Sequence, residues 1–219
     1  MASNMNTTSD NKLKVAAQEG DINLLYIVIE EDPQVLEHND SISFVETPLH
    51  IASSCGNIGF ATELMRLKPS LAWKLNQQGF TPIHLAMQHN HMRMVHRFVD
   101  INKELVRAKG REGLTPLHIA SQIGDIDLLA NFLLACPDSI KDVTIRGETA
   151  LHVAVRYRQF EALQLMVGWL KRTCQKNAMQ IEKTILGWKD DSGNTILHVS
   201  ALMNDSKVPI SVCLELNFD

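Results

Sequence analysis

Apolar positions recur along this chain in a two-beat pattern. An aliphatic-plus-small pair (Ile51-Ala52, Leu85-Ala86, Ile119-Ala120, Val153-Ala154 and Val199-Ser200) comes first. A polar turn signal follows, Gly56-Asn57, Asn90-His91 or Gly124-Asp125, and then a second apolar run such as Leu128-Leu129 with Phe132-Leu133-Leu134. Runs this short, punctuated by Gly, Asn and Asp, predict pairs of short helices joined by tight turns. No such pair can bury its apolar face alone, so the pattern calls for stacking of each unit on its neighbours.

Each pair is introduced by the same tetrad. Thr47-Pro48-Leu49-His50 recurs as Thr81-Pro82-Ile83-His84, Thr115-Pro116-Leu117-His118, Thr149-Ala150-Leu151-His152 and Thr195-Ile196-Leu197-His198, at spacings of 34, 34, 34 and 46 residues. Threonine is an N-cap residue whose hydroxyl can accept from first-turn amides. Proline is tolerated at the first helical position because that N–H is orphaned anyway. The leucine or isoleucine enters the core between units, and the alanine lets helices approach closely. Gly79, Gly113, Gly147 and Gly193 each stand two residues before a tetrad threonine and suit a hairpin turn. An earlier, degraded copy, Leu13-Lys14-Val15-Ala16-Ala17 with Gly20-Asp21, lacks the Thr-Pro start, as a capping unit does.

On these residues the chain resembles the ankyrin family, whose helix–turn–helix unit of about 33 residues carries a T-P-L-H-x-A signature. The resemblance covers residue 13 to about 205 and implies an all-α solenoid of stacked helix–turn–helix units with hairpin loops. The domain reading is a disordered start at 1–10, a repeat domain at 11–205 with units starting near 11, 47, 81, 115, 149 and 195, and an irregular tail at 206–219.

Composition narrows the function. The chain is 45% apolar and 21% charged with a formal net charge of −4, so the concentrated basic field that phosphates require is absent and no nucleic-acid partner is expected. Residues 1–10 carry no basic-then-apolar leader, and no apolar run approaches the ~20 residues of a membrane span. The chain as given reads as soluble and cytoplasmic. Cys55, Cys136, Cys174 and Cys213 are widely spaced, without a CxxC pair, and read as reduced thiols. A GxSxG elbow, a Walker loop and a GxGxxG fingerprint are all absent, so no enzyme, cofactor or small-molecule substrate is expected. The carboxylate pairs Glu30-Glu31 and Asp190-Asp191 read as solvated charge at helix ends or loops.

The tetrad histidines raise the question of a metal. Neighbouring helices pack 8–10 Å apart, too far for His50, His84, His118, His152 and His198 to share a zinc at ~2 Å each. The family resemblance implies instead that each imidazole bonds to backbone in neighbouring hairpin loops. His38, His89, His91 and His96 form no HExxH or comparable pattern.

Two departures stand out. The extra dozen residues before the last tetrad fall within 171–183 and read as an extended outer helix or a helix plus loop; after residue 201 the last unit breaks off into 206–219. The insertion, together with phrases such as Leu67-Lys68-Pro69-Ser70-Leu71-Ala72 and Gly187-Trp188-Lys189-Asp190-Asp191-Ser192-Gly193-Asn194-Thr195, looks like plant ankyrin proteins that carry a C-terminal multi-pass membrane domain of the PGG type. That resemblance implies a link to innate immunity, salicylate-dependent defence and stress signalling. It also implies plasma-membrane localisation, on the cytosolic side, for any longer form.

Ankyrin stacks dock partners on hairpin tips and the inner face of the first helices. Carried onto this sequence, the resemblance marks Phe44, Gln77, Gln78, Phe80, Arg111, Glu112, Leu114, Ile145, Arg146 and Glu148 at the tips. On the inner helices it marks Ser54, Gln88, His89, Gln122, Ile123, Arg156 and Tyr157. Phe80 and Leu114 match each other in register and either meet a partner or pack on neighbouring loops to stiffen the hairpins. Replacing Arg156 and Tyr157 by alanine is expected, on this reading, to weaken partner capture with little effect on stability.

Overall fold

A computed structural model describes residues 2–172 and 184–203, apart from the side chains of 2–8 and 39–41. Among these residues every regular element is helical. The chain divides into two compact units, Met1–Arg111 and Glu112–Asp219.

In the first unit the helices pair as the two-beat pattern predicts. Helix α1 (Ala2–Glu19) packs on α2 (Ile22–Glu31), and a short α3 (Val35–Ser41) follows. Helix α4 (Pro48–Cys55) pairs with α5 (Ile58–Leu67), and α6 (Pro82–Gln88) with α7 (Met92–Ile101). The first helices stack in the order α1, α4, α6, and the second helices α2, α5, α7 stack beside them. The core holds Leu13, Leu25, Leu49, Phe60, Leu64, Ile83, Met94 and Phe98, all essentially solvent-free. Helix α1 begins at Ala2, so helix is found in 2–10 where composition suggested disorder. Leu13, Ala16 and Ala17 anchor its other end, and extending a nucleated helix adds one bond per residue without a second nucleation cost.

The second unit repeats the scheme. Helix α8 (Pro116–Ile123) pairs with α9 (Ile126–Ala135), and α10 (Ala150–Arg156) with α11 (Phe160–Arg172). Helix α12 (Ile196–Leu202) stacks on α10, which stacks on α8. Leu117, Leu129, Phe132, Leu151, Met166 and Val167 fill its core. At 13 residues α11 is three longer than α9, the start of the predicted extension; the rest of the insertion, and the tail at 206–219, lie outside the described residues.

The tetrad works differently from a simple threonine cap. Only one hydroxyl-to-amide contact joins Thr47 and His50, and it is long, at 3.4 Å. The short contacts go to the imidazole: Thr47 N–H lies 3.2 Å and Thr47 Oγ1 2.7 Å from His50 Nδ1, and the same pair of contacts recurs at Thr115/His118, Thr149/His152 and Thr195/His198. Histidine thus takes the N3 place that glutamate or glutamine holds in a capping box. Because a backbone N–H donates to Nδ1, the ring proton must sit on Nε2. That proton reaches across to the next hairpin: His50 to the carbonyls of Lys74 (3.1 Å) and Phe80 (3.0 Å), His118 to Glu148 (3.1 Å), His152 to Asn194 (3.2 Å). These histidines bond backbone, as the resemblance implied.

Burial enforces the neutral form. Desolvation lowers the His50 pKa from 6.5 to about 4 even though its carbonyl partners favour the charged ring. Burial likewise lowers that of His152.

Two further sets of staples occupy fixed register positions. At three of the inner-helix turns the residue that follows the turn bonds the end of the preceding inner helix, whereas Asp125 at the same place caps its own outer helix. Asn57 Nδ2 donates to Ala17 and Gln18 carbonyls at 2.8 and 2.9 Å, His91 Nε2 bonds Ser54 O at 2.9 Å, and Gln159 Nε2 donates to Gln122 O at 3.2 Å. At three hairpin roots a short polar side chain accepts two amides. Asn76 takes Gln78 and Phe80, Thr144 takes Arg146 and Glu148, and Asp190 takes Ser192 and Asn194. Asp190 is therefore buried and capped, not the solvated charge that the sequence suggested. Burial alone would raise its pKa, but the Asn194 and Ser192 bonds together outweigh it and hold the carboxyl below its usual value. The equivalent residue in the third full repeat is Gly110, where a Cβ would come within 2.9 Å of the His84 ring.

The turns that close the first five inner helices are left-handed: φ is 75° at Gly20, 78° at Gly56, 59° at Asn90, 82° at Gly124 and 59° at Arg158. Glycine and asparagine adopt this conformation readily, whereas arginine does so at a cost of about 1 kcal/mol. Arg158→Gly should therefore stabilise the chain by about 1 kcal/mol, read as a higher urea midpoint; an unchanged or lower midpoint would mean that contacts of the Arg158 side chain outweigh its backbone strain.

Candidate functional site

The surface that sequence and family resemblance mark for docking is built on these fixed hairpins and helix ends. In the second unit it gathers around the tip of the hairpin before α10. The Thr144 side chain and the Thr144–Glu148 and Gly147–Thr144 backbone bonds close this hairpin. The Ile145 amide donates to Glu112 O in the preceding tip, and Arg146 O accepts from the Asp191 amide of the following one. The three tips are thereby tied backbone to backbone. Ile145 stands 69% exposed on top, although its aliphatic side chain gains nothing from water. Arg146 is exposed beside it, 3.5 Å from an oxygen of Glu112. A pair so open to solvent contributes little stability.

The inner-helix ends supply the rest. Ile123 ends α8 and is exposed; Gln122, beside it, is half-buried with its carbonyl held by Gln159. Tyr157 is 49% exposed, and its amide bonds back to Val153 and Val155, so its backbone is fixed.

Glu148 and Arg156 depart from expectation. Glu148 was expected at a tip but is buried, its side chain 8% accessible, whereas the side chain of Arg156 is 41% accessible. The two form a salt bridge through Arg156 Nη2 and Glu148 Oε1. Arg156 is thus the counter-ion of a buried carboxylate. The expectation that it can be removed at little cost in stability is corrected: an unpaired buried charge is among the most expensive defects a fold can carry.

In the first unit Gln77, Gln78, Gln88, His89 and Arg111 are exposed. Phe44 is exposed in a left-handed backbone conformation (φ 54°). Phe80 is different. Its amide and carbonyl are bound by Asn76 and His50, and its ring centroid lies 6.3 Å from that of His84, so part of the ring stiffens the hairpin. His89 stacks on His91 at 6.2 Å, and His91 itself is a backbone staple. Leu114, in the second unit, is half-buried like Phe80.

Sequence reasoning missed the roles of Asn57, His91 and Gln159 and of the hairpin roots Asn76, Thr144 and Asp190. The available signal was positional. Polar residues of different kinds recur at one register place, and a search for repeated identities passes over them. Among the described residues no group of three or more His, Cys, Asp or Glu side chains could hold a metal ion, and no helix is long and apolar enough to cross a membrane.

Comparison with known proteins agrees with the architecture. Residues 13–106 and 94–180 match the family described as Ankyrin repeats (3 copies). The Ankyrin repeat-containing protein BDA1 of Arabidopsis thaliana is 58% identical over 210 residues, which cover 95% of this chain and 49% of the relative. The chain therefore spans about half the length of that relative. Among solved structures, a chain of a complex between a predatory endopeptidase of Bdellovibrio bacteriovorus and an immunity protein superposes with a TM-score of 0.65 at 20% identity, covering 93% of this chain and 97% of that one.

Proposed function

This chain belongs to the ankyrin-repeat family, and on that premise we propose that it is a non-catalytic protein-interaction module that acts in plant immune or stress signalling. The observation that carries the reading is the exposed Ile145 and Tyr157 on a backbone whose amides already donate to the Glu112 carbonyl and to the Val153 and Val155 carbonyls respectively. Large apolar and aromatic side chains held rigidly at a surface are the anchors that protein interfaces use, because little freedom is left to lose on binding. The plant relative supports the setting, and the resemblance of the repeat phrases supports the immune or stress role.

A photo-crosslinking residue placed at Ile145 or at Tyr157 should capture the same partner from plant extract, while one at the exposed Asn131 of α9 should not. Crosslinks from position 131 alone would move the docking face to the other side of the repeats and overturn this assignment.

A second reading is that the chain corresponds to the cytosolic regulatory part of a longer, membrane-anchored protein. The length of the Arabidopsis relative, about twice that of this chain, favours it. Full-length transcript sequencing that finds in-frame membrane-spanning segments downstream would support this reading; transcripts that all stop after Asp219 would count against it.

A further inference from the structure

We propose that the outer face formed by α9 and α11 binds a second copy of this chain, the two copies meeting antiparallel about a two-fold axis. The proposal goes beyond the interaction-module reading and does not depend on it, since this face carries neither Ile145 nor Tyr157.

The face is apolar where its counterparts are charged. Leu134 of α9 falls in register with Arg66 of α5 and Asp100 of α7, both exposed, yet Leu134 is itself 74% exposed. At the same place in α11 stands Gly168, where an added Cβ would meet only Arg172 Nη2, at 3.6 Å. Next to the projecting leucine lies a cleft of about 440 Å³, open to solvent and lined by Ala130, Leu134, Gln164, Leu165, Trp169 and Arg172. A knob and a hollow side by side on one face are what an isologous contact needs, because a two-fold axis seats the knob of each copy in the hollow of the other.

The charges set the occupant and its direction. Helices α9 and α11 pack side by side, with Asp127 and Glu161 exposed in their first turns and Arg172 exposed at the end of α11. Lys171, next to Arg172, is already engaged, and beyond α9 Lys141 pairs with Asp138. A parallel second copy would oppose like charges, whereas an antiparallel one sets base against acid. In register Asp127 is level with Glu161, which precedes Arg172 along α11 by about 16 Å. An axis through the cleft at the midpoint, level with 132–133 and 166–167, lays α9 of one copy antiparallel on α11 of the other. It brings Arg172 over Asp127 of the second copy and Leu134 over Leu165 at the cleft, each contact being made twice. A different partner would have to supply an apolar knob, an acid and a base at this spacing, and this chain already carries all three.

Sedimentation velocity of the full chain at rising concentration tests this. Two short helices from each copy make a contact of the small, transient class, so dimer should replace monomer as concentration rises and dissociate on dilution. Leu134→Lys should raise the concentration for half-dimerisation about a hundredfold, because each copy buries one leucine side chain. Asp127→Arg and Arg172→Glu should each weaken the dimer about tenfold, and the two combined in one chain should restore it, a recovery that misfolding cannot imitate. A photo-crosslinker at position 134 should join isotope-labelled to unlabelled copies, with the attachment near Leu165. A monomer at every concentration, a dimer indifferent to Leu134→Lys, or a charge swap that restores nothing would overturn the proposal. A crosslink from position 134 to residues 206–219 of its own copy would also overturn it and give the cleft to the chain's own end. None of these outcomes touches partner capture through Ile145 and Tyr157, which stands or falls with its own crosslinks.

Discussion

Arg156→Ala is expected to lower the unfolding free energy by about 3 kcal/mol, although the guanidinium it removes is 41% accessible. The cost arises at the other end of the pair. Glu148 is buried, and without Arg156 its carboxylate is left without a counter-ion in a site that water reaches poorly. For a chain of this size such a loss corresponds to roughly 6–12 °C in Tm. The register identifies a rescue. The equivalent positions one and two repeats earlier are Leu114 and Phe80, so the surroundings of residue 148 suit an apolar side chain. The double variant Glu148→Leu with Arg156→Ala should recover most or all of the lost stability, since a buried ion pair replaced by well-fitting apolar groups is often neutral or better. Chemical denaturation of the four proteins of this double-mutant cycle checks the argument. A single Arg156→Ala variant within 0.5 kcal/mol of wild type would show that Glu148 is solvated after all. The same cycle separates stability from binding: loss of partner capture by the stable double variant would then be attributable to the missing guanidinium.

Arg156 also shows where the sequence stops being informative. The repeat architecture is visible in it because each tetrad position is constrained by one local requirement that the same residue type meets in most or all copies: proline at the helix start in three of the five, a small residue where helices touch, histidine to span two hairpins. The left-handed turns are legible for the same reason at Gly56 and Gly124, and less so at Arg158, which adopts φ 59° despite its side chain. What stays hidden are the positions where one physical task has several chemical solutions. Asn76, Thr144 and Asp190 close equivalent hairpins with three different side chains, and Asn57, His91 and Gln159 make equivalent cross-repeat staples with three more. Glu148 is the extreme case. It occupies a position that is apolar in the two preceding repeats, and only its pairing with a residue eight positions on makes its burial possible. Of the candidate docking residues, Gln78, Gln88, Ile145, Arg146 and Tyr157 lie exposed, whereas Phe80 and Arg156 are tied into the hairpins by ring contact and salt bridge.

The tetrad histidines make stability depend on pH in a window set by their burial. His50 is held neutral in the folded chain with a pKa of about 4, against 6.5 when unfolded. Above pH 6.5 neither state binds the proton and the full stability is present. As pH falls through 6.5 the unfolded chain takes up the proton while the folded chain does not, so stability declines steadily until pH reaches about 4. Below that point both forms are protonated and this group contributes no further change. The total loss from His50 is about 3 kcal/mol, set by the fall of its pKa from 6.5 to about 4. His152, lowered by the same cause, adds to it in the same direction. Asp190 acts in a separate window: its carboxyl is held below the usual 3.8, so its contribution is lost only as pH falls below that value. Urea midpoints measured between pH 7 and 4 should therefore fall before the Asp190 carboxyl begins to titrate. His50→Gln, which cannot take up a proton, should start from a lower stability at pH 7 but show a shallower slope between pH 6.5 and 4. A direct check is the nitrogen chemical shift of the His50 ring, expected to report an Nε2–H tautomer that persists at pH 5. A midpoint near 6.5 in that titration, or an unchanged slope in His50→Gln, would mean that the imidazole is hydrated and that the bridge from His50 to the Lys74 and Phe80 carbonyls does not hold the hairpin in solution.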